Sequence, residues 1–103
     1  MFPYIKFRVP TKHIFFNPLG KADERFRFSS DLEKIGSEWD VGVQNGTYVD
    51  LISEPVQIDR PKYGGIITVI KVKADVATDY HTIIKEFWIP TNTLVSIENE
   101  KWL

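Results

Sequence analysis

Residues 66–74, Ile-Ile-Thr-Val-Ile-Lys-Val-Lys-Ala, decide the fold class. Six of the nine are β-branched, a side-chain type that packs well on a pleated surface and loses rotamer freedom in a helix. The stretch therefore reads as a strand. Residues 80–89, YHTIIKEFWI, form its expected hairpin partner across the polar connection 75–79. Pro90 ends that partner, residues 91–94 make a tight turn, and residues 94–97 give a last short strand.

Toward the N-terminus, residues 53–65 hold two prolines and two glycines. They predict a long loop with a short strand at 56–58. Residues 41–52 contain Asn45-Gly46, a preferred pair for a two-residue hairpin turn. Either the chain turns sharply there or Gly46 opens one long strand; Tyr48, Val49, Leu51 and Ile52 make the strand that follows. Ser30 and Glu33 have capping-box spacing, and Leu32, Ile35 and Trp39 fall on one helical face. A helix of two turns is expected over 30–38, weakened by Gly36. Residues 25–28, Arg-Phe-Arg-Phe, alternate with strand period, as do Ile5, Phe7 and Val9 within 4–9. Residues 13–16 are extended, and Asn17-Pro18-Leu19-Gly20 is turn chemistry. The first 28 residues thus predict a strand followed by a long-looped hairpin.

The tail FWIPTNTLVSI, residues 87–97, resembles the end of an SH3-like small β-barrel. In such barrels an aromatic–hydrophobic–proline step leads through one 3₁₀ turn into a short closing strand. The 66–74 and 80–89 hairpin matches the central strand pair, and the 53–65 loop sits where such domains carry a long loop after the first strand. The resemblance covers residues 46–97. It implies a mainly β fold: one domain over 1–103, with a barrel at 41–103 and a basic strand–hairpin–helix addition at 1–40. It does not carry over polyproline binding, because residues 53–58, SEPVQI, lack the aromatic cluster of that activity; Pro90 alone matches a groove position.

Composition narrows the function. At 103 residues and 43% hydrophobic content the chain suits one small core. Cysteine is absent, which excludes disulfides, thiolate metal sites and a cysteine nucleophile. No stretch has the length of a bilayer span and none reads as a signal peptide, so a cytoplasmic protein with no membrane partner is expected. Residues 1–27 carry six cations (Lys6, Arg8, Lys12, Lys21, Arg25, Arg27) against Asp23 and Glu24, within a chain of net charge −1. That polarity steers association.

No nucleotide-binding, nucleophile-elbow or zinc-protease motif occurs, and the two histidines, His13 and His81, belong to no ligand spacing. The expectation is a protein that is not an enzyme and has no metal and no cofactor. Two features single out binding residues. Lys6, Arg8, Arg25 and Arg27 form a basic stripe if strands 4–9 and 25–28 share a sheet, although outward strand positions ordinarily hold such residues. Trp88 alternates with Phe87 and Ile89, and Trp102 is penultimate; tryptophan is enriched at binding hot spots. The leading expectation is a protein-interaction module, a small phage or bacterial regulator or inhibitor docking on a larger complex. A nucleic-acid accessory protein using the basic N-terminal face is the alternative, and a structural subunit of a virion or symmetric assembly is a third.

Overall fold

The computed structural model describes residues 13–22, 24–77 and 80–96. The expected strand at 4–9, with Lys6 and Arg8, and Trp102 lie outside the described residues. Eight strands follow one another within them: β1 (His13–Phe15), β2 (Arg25–Phe28), β3 (Val41–Gln44), β4 (Tyr48–Leu51), β5 (Val56–Arg60), β6 (Gly65–Ala77), β7 (Thr82–Pro90) and β8 (Leu94–Ser96). The fold is mainly β, as expected.

β6 organises the larger sheet. Its 69–77 segment pairs with β7, from Val69↔Pro90 to Ala77↔Thr82. Along its other side β5 and β4 lie end to end, with Val56 opposite Val69 and Leu51 opposite Val72. β4 then pairs with β1, and β1 with β8, all antiparallel. These six strands curl into a half-barrel, compatible with a small β-barrel fold. β2 and β3 form a separate two-stranded ribbon against it.

The alternation in β6 sets the inner face. Ile70, Val72, Ala74 and Val76 are buried, whereas Lys73, Asp75 and Ala77 are exposed. Val41 and Val43 of the ribbon and Phe87 and Ile89 of β7 join that core. Four phenylalanines tie ribbon to half-barrel. Phe15 meets Phe26 and Phe28 edge-on, with ring centroids 5.5 and 5.0 Å apart, and Phe28 stacks on Phe87 at 5.6 Å. Such pairs contribute about 0.5–1.5 kcal/mol each beyond their buried area. Two polar links reinforce them. Trp88 N–H donates to the Ser29 carbonyl at 2.9 Å, and the Arg25 Nη2 donates to the Ala77 carbonyl at 2.9 Å.

Several expectations are corrected. β1 does not form a hairpin with β2: it is inserted between β4 and β8, and Phe15 is a core residue. Phe15 is therefore in the core of the larger sheet, and Phe26 and Phe28 pack against that core. The Asn45-Gly46 turn exists, with Thr47 N–H donating to the Gln44 carbonyl and Gly46 at φ +89°. It is a corner, not a hairpin, and carries the chain from the ribbon into the larger sheet. Within 53–65 the strand is longer than expected, because Val56 and Ile58 are half-buried and the whole of β5 pairs with β6.

The helix expected at 30–38 is a single 3₁₀ turn, Leu32–Lys34. Asp31, not Ser30, caps it by accepting from Glu33 N–H at 2.9 Å. The Ser30 hydroxyl instead donates to Asp40, and Ile35 at ψ 126° ends the turn, one residue before Gly36. Ile35 is buried while Trp39 is exposed, so the anticipated common face does not form.

Candidate functional site

A groove of about 340 Å³ opens where three segments meet: the connection 29–40, the 3₁₀ turn Pro61–Tyr63, and the end of β7. Its depth is apolar, with Phe28, Ile35 and Val69 in the lining. Its rim is aromatic. Trp39 is 53% exposed and Tyr63 48% exposed, while Trp88 and Pro90 are half-buried on the opposite lip. Large rings kept half in water at the edge of a concavity are a recurring feature of binding surfaces.

The walls are held by polar bonds. Asp40 closes the base of the 29–40 connection: its carboxylate accepts from Ser30 N–H at 2.8 Å and from the Ser30 hydroxyl. Asp40 N–H donates to the Phe28 carbonyl at 3.0 Å. The Ser30 hydroxyl holds the Asp40 carboxyl below its usual value; partial loss of solvent opposes this, and backbone N–H bonds and the Lys85 charge add to the lowering. Arg60 grips the same wall from β5. Its Nε donates to the Ile35 carbonyl at 2.8 Å and its Nη2 to the Leu32 carbonyl at 3.0 Å. Directly after Arg60, the turn at Pro61 starts with a residue that has no N–H to leave unpaired, and Gly64 at φ +90° ends it. Tyr63 therefore stands at the tip of a stiff turn.

The expected site residues divide between two surfaces. Trp88 lies in the groove lining, with the Lys71 ammonium 6.0 Å from its ring centroid. Arg25 and Arg27 are exposed on the outer face of β2, as the alternation predicts. Arg27 stacks its guanidinium on Trp39, 4.6 Å from the ring centroid. Arg25 donates to the Gly42 and Ala77 carbonyls, so part of its hydrogen-bonding capacity is structural. Whether the stripe extends to Lys6 and Arg8 lies outside the described residues. Sequence reasoning missed Trp39, Tyr63 and Arg60 as site residues. The signal for Tyr63 was an aromatic between Pro61 and Gly64, in a turn where polar residues are usual; for Arg60 there was none.

Among the described residues, no group of three His, Cys, Asp or Glu side chains is arranged to hold a metal. No helix among them is long and apolar enough to cross a membrane. Comparison with protein-family models, curated proteins and solved structures finds no match to this chain.

Proposed function

We propose that this chain is a non-catalytic protein-interaction module on an SH3-like half-barrel, and that the groove rimmed by Trp39, Tyr63, Trp88 and Pro90 receives the partner. The observation that carries the reading is the rim itself: four large or rigid apolar side chains converge on one concavity. Aromatic side chains contribute large contact areas at low entropic cost, which is why they dominate binding hot spots.

Connectivity supports the SH3-like part. Residues 87–90 lead through the 3₁₀ turn Thr91–Thr93 into β8, which returns beside β1. On that reading the first barrel strand is β1, and 16–47 is the long connection after it.

Affinity capture from the native host, with the wild-type chain beside a Trp39→Ala/Tyr63→Ala double variant, tests the proposal. Both positions are about half exposed, so the variant is expected to keep its urea midpoint. A protein retained by the wild type and lost by the variant is the expected result. Equal retention of every captured protein by both chains overturns the groove as the docking site.

A further inference from the structure

Arg27 and Trp39 line not one concavity but two. Beyond them lies a shallower, more open groove of about 600 Å³, bounded by the ribbon and the β6–β7 hairpin. Arg25, Arg27 and Lys85 supply its positive charge beside one carboxylate, Asp40, and Val76 and Ile83 its apolar wall. The stacked Arg27–Trp39 pair is thus a ridge between an aromatic groove and a cationic one.

Charge along this ridge is one-sided. The two grooves present Arg25, Arg27, Lys62 and Lys85, against Glu38 and Asp40. Glu38 is paired with Lys34, Nζ to Oε1 3.2 Å, and Asp40 is turned onto Ser30. Among the described residues Lys62 and Lys85 form no ion pair within 4 Å. The body that carries these cations has a net charge of −1. A local positive surface on a near-neutral body selects and steers an oppositely charged partner.

Two observations favour a polypeptide over a nucleic acid as that partner. The pocket beside the ridge has an apolar depth, Phe28, Ile35 and Val69, which matches an aliphatic or aromatic side chain and not a sugar–phosphate chain. Arg25 already gives hydrogen bonds to two backbone carbonyls, so the cations do not form a freely presented row of the kind that tracks phosphates.

We infer that the ridge binds an acidic segment of a partner protein, with an apolar anchor residue seated between Trp39, Tyr63 and Trp88 and its flanking carboxylates on Arg27, Lys62 and Lys85. The inference rests on the reading of the aromatic groove as a docking site and names the chemistry of the occupant.

Selection of a displayed random 12-residue peptide library on the full chain tests it. The selected peptides are then measured against the wild type, the Trp39→Ala/Tyr63→Ala variant and an Arg27→Gln/Lys62→Gln/Lys85→Gln variant. A fluorescein-labelled twelve-nucleotide oligo-dT is measured in parallel. The expected result is enrichment of Asp and Glu around a large apolar residue. Binding should weaken about tenfold or more in either variant, and severalfold between 50 and 300 mM salt. Peptides without acidic enrichment that still lose binding in Trp39→Ala/Tyr63→Ala overturn the acidic partner and leave the groove standing. Peptides indifferent to both variants, or no enrichment at all, overturn the groove as well. Oligo-dT binding tighter than any peptide, and abolished by the three glutamines, overturns the polypeptide in favour of a nucleic acid.

Discussion

Replacement of Arg60 by methionine keeps most of the aliphatic stem and removes the guanidinium that fastens the groove wall. Three bonds are lost: Nε to Ile35 at 2.8 Å, Nη2 to Leu32 at 3.0 Å and Nη1 to Asp59 at 2.9 Å. Hydrogen bonds from a charged donor contribute about 1.5–3 kcal/mol each when enclosed. The Asp59 bond is exposed and adds little. The other two are half-buried, so solvent competes for them, and together they hold the wall by about 2–3 kcal/mol. The 29–40 connection can open while β5, β6 and β7 stay paired, so the loss is local. It should appear as a roughly 30- to 150-fold drop in hydrogen-exchange protection at Lys34, Ser37 and Asp40 N–H, at about 1.4 kcal/mol per tenfold. These amides donate to Asp31, Lys34 and Phe28. The core amides of Val69 and Ile89 should keep near-wild-type protection. Arg60→Lys should recover less than half of the effect, because one ammonium cannot span two carbonyls as a fork does. Wild-type exchange at all three amides in Arg60→Met, with the sheet intact, refutes the reasoning.

Other substitutions probe the remaining polar fastenings. Asn45 is buried; it accepts from Asn17 N–H and donates to the Asn17 and Lys21 carbonyls. Asn45→Ala should lower stability by about 2–3 kcal/mol in urea unfolding, and Asn45→Asp should lower it more at pH 7, because a carboxylate would face two carbonyls; an aspartate milder than alanine contradicts this. Asp40 has a depressed folded-state pKa, so its stabilisation is present above its ordinary value of 3.8 and is lost as pH falls through the lower folded value. Exchange protection of Asp40 N–H should fall in that acid window, and Ser30→Ala should raise the Asp40 pKa toward 3.8 in a carboxyl NMR titration; an unmoved titration rules out Ser30 as the cause.

The strands were legible where alternation and β-branching agreed. β6, β7 and β2 follow from residues 66–74, 80–89 and 25–28 with small shifts at their ends. Partner choice was not legible. Residues 13–15 and 25–28 are both extended and carry phenylalanine, and nothing local says that they avoid each other. That outcome depends on the corner at Gly46, on Gly46 N–H donating to the Phe15 carbonyl, and on Asn45 bridging back to Asn17. The helix at 30–38 failed for a related reason. Capping-box spacing is a local signal, and it lost to long-range partners: Asp40 for Ser30, and Arg60 for the carbonyls of Leu32 and Ile35. Of the candidate site, Arg27 and Trp88 were visible as outward or alternating residues. Their meeting with Trp39 and Tyr63 around one groove was not, because the four come from four separate segments.

The way these segments are joined separates stability from recognition. The floor of the groove is the phenylalanine cluster that joins ribbon to half-barrel, and removal of Phe28 would open both the core and the site. The rim is different. Trp39 and Tyr63 are about half in water, and the segments that carry them are fixed by backbone carbonyls bonded to Arg60 and by the Asp40–Ser30 closure. None of those bonds uses the two aromatic side chains. The rim aromatics can therefore be truncated with the wall still in position, whereas loss of Arg60 moves the wall with its aromatics intact. If a partner docks here, both kinds of change weaken it, but only the loss of Arg60 should speed hydrogen exchange in the 29–40 wall. A partner that tolerates the rim truncations and responds only to Arg60 would be reading the backbone of the 29–40 wall, and not the groove.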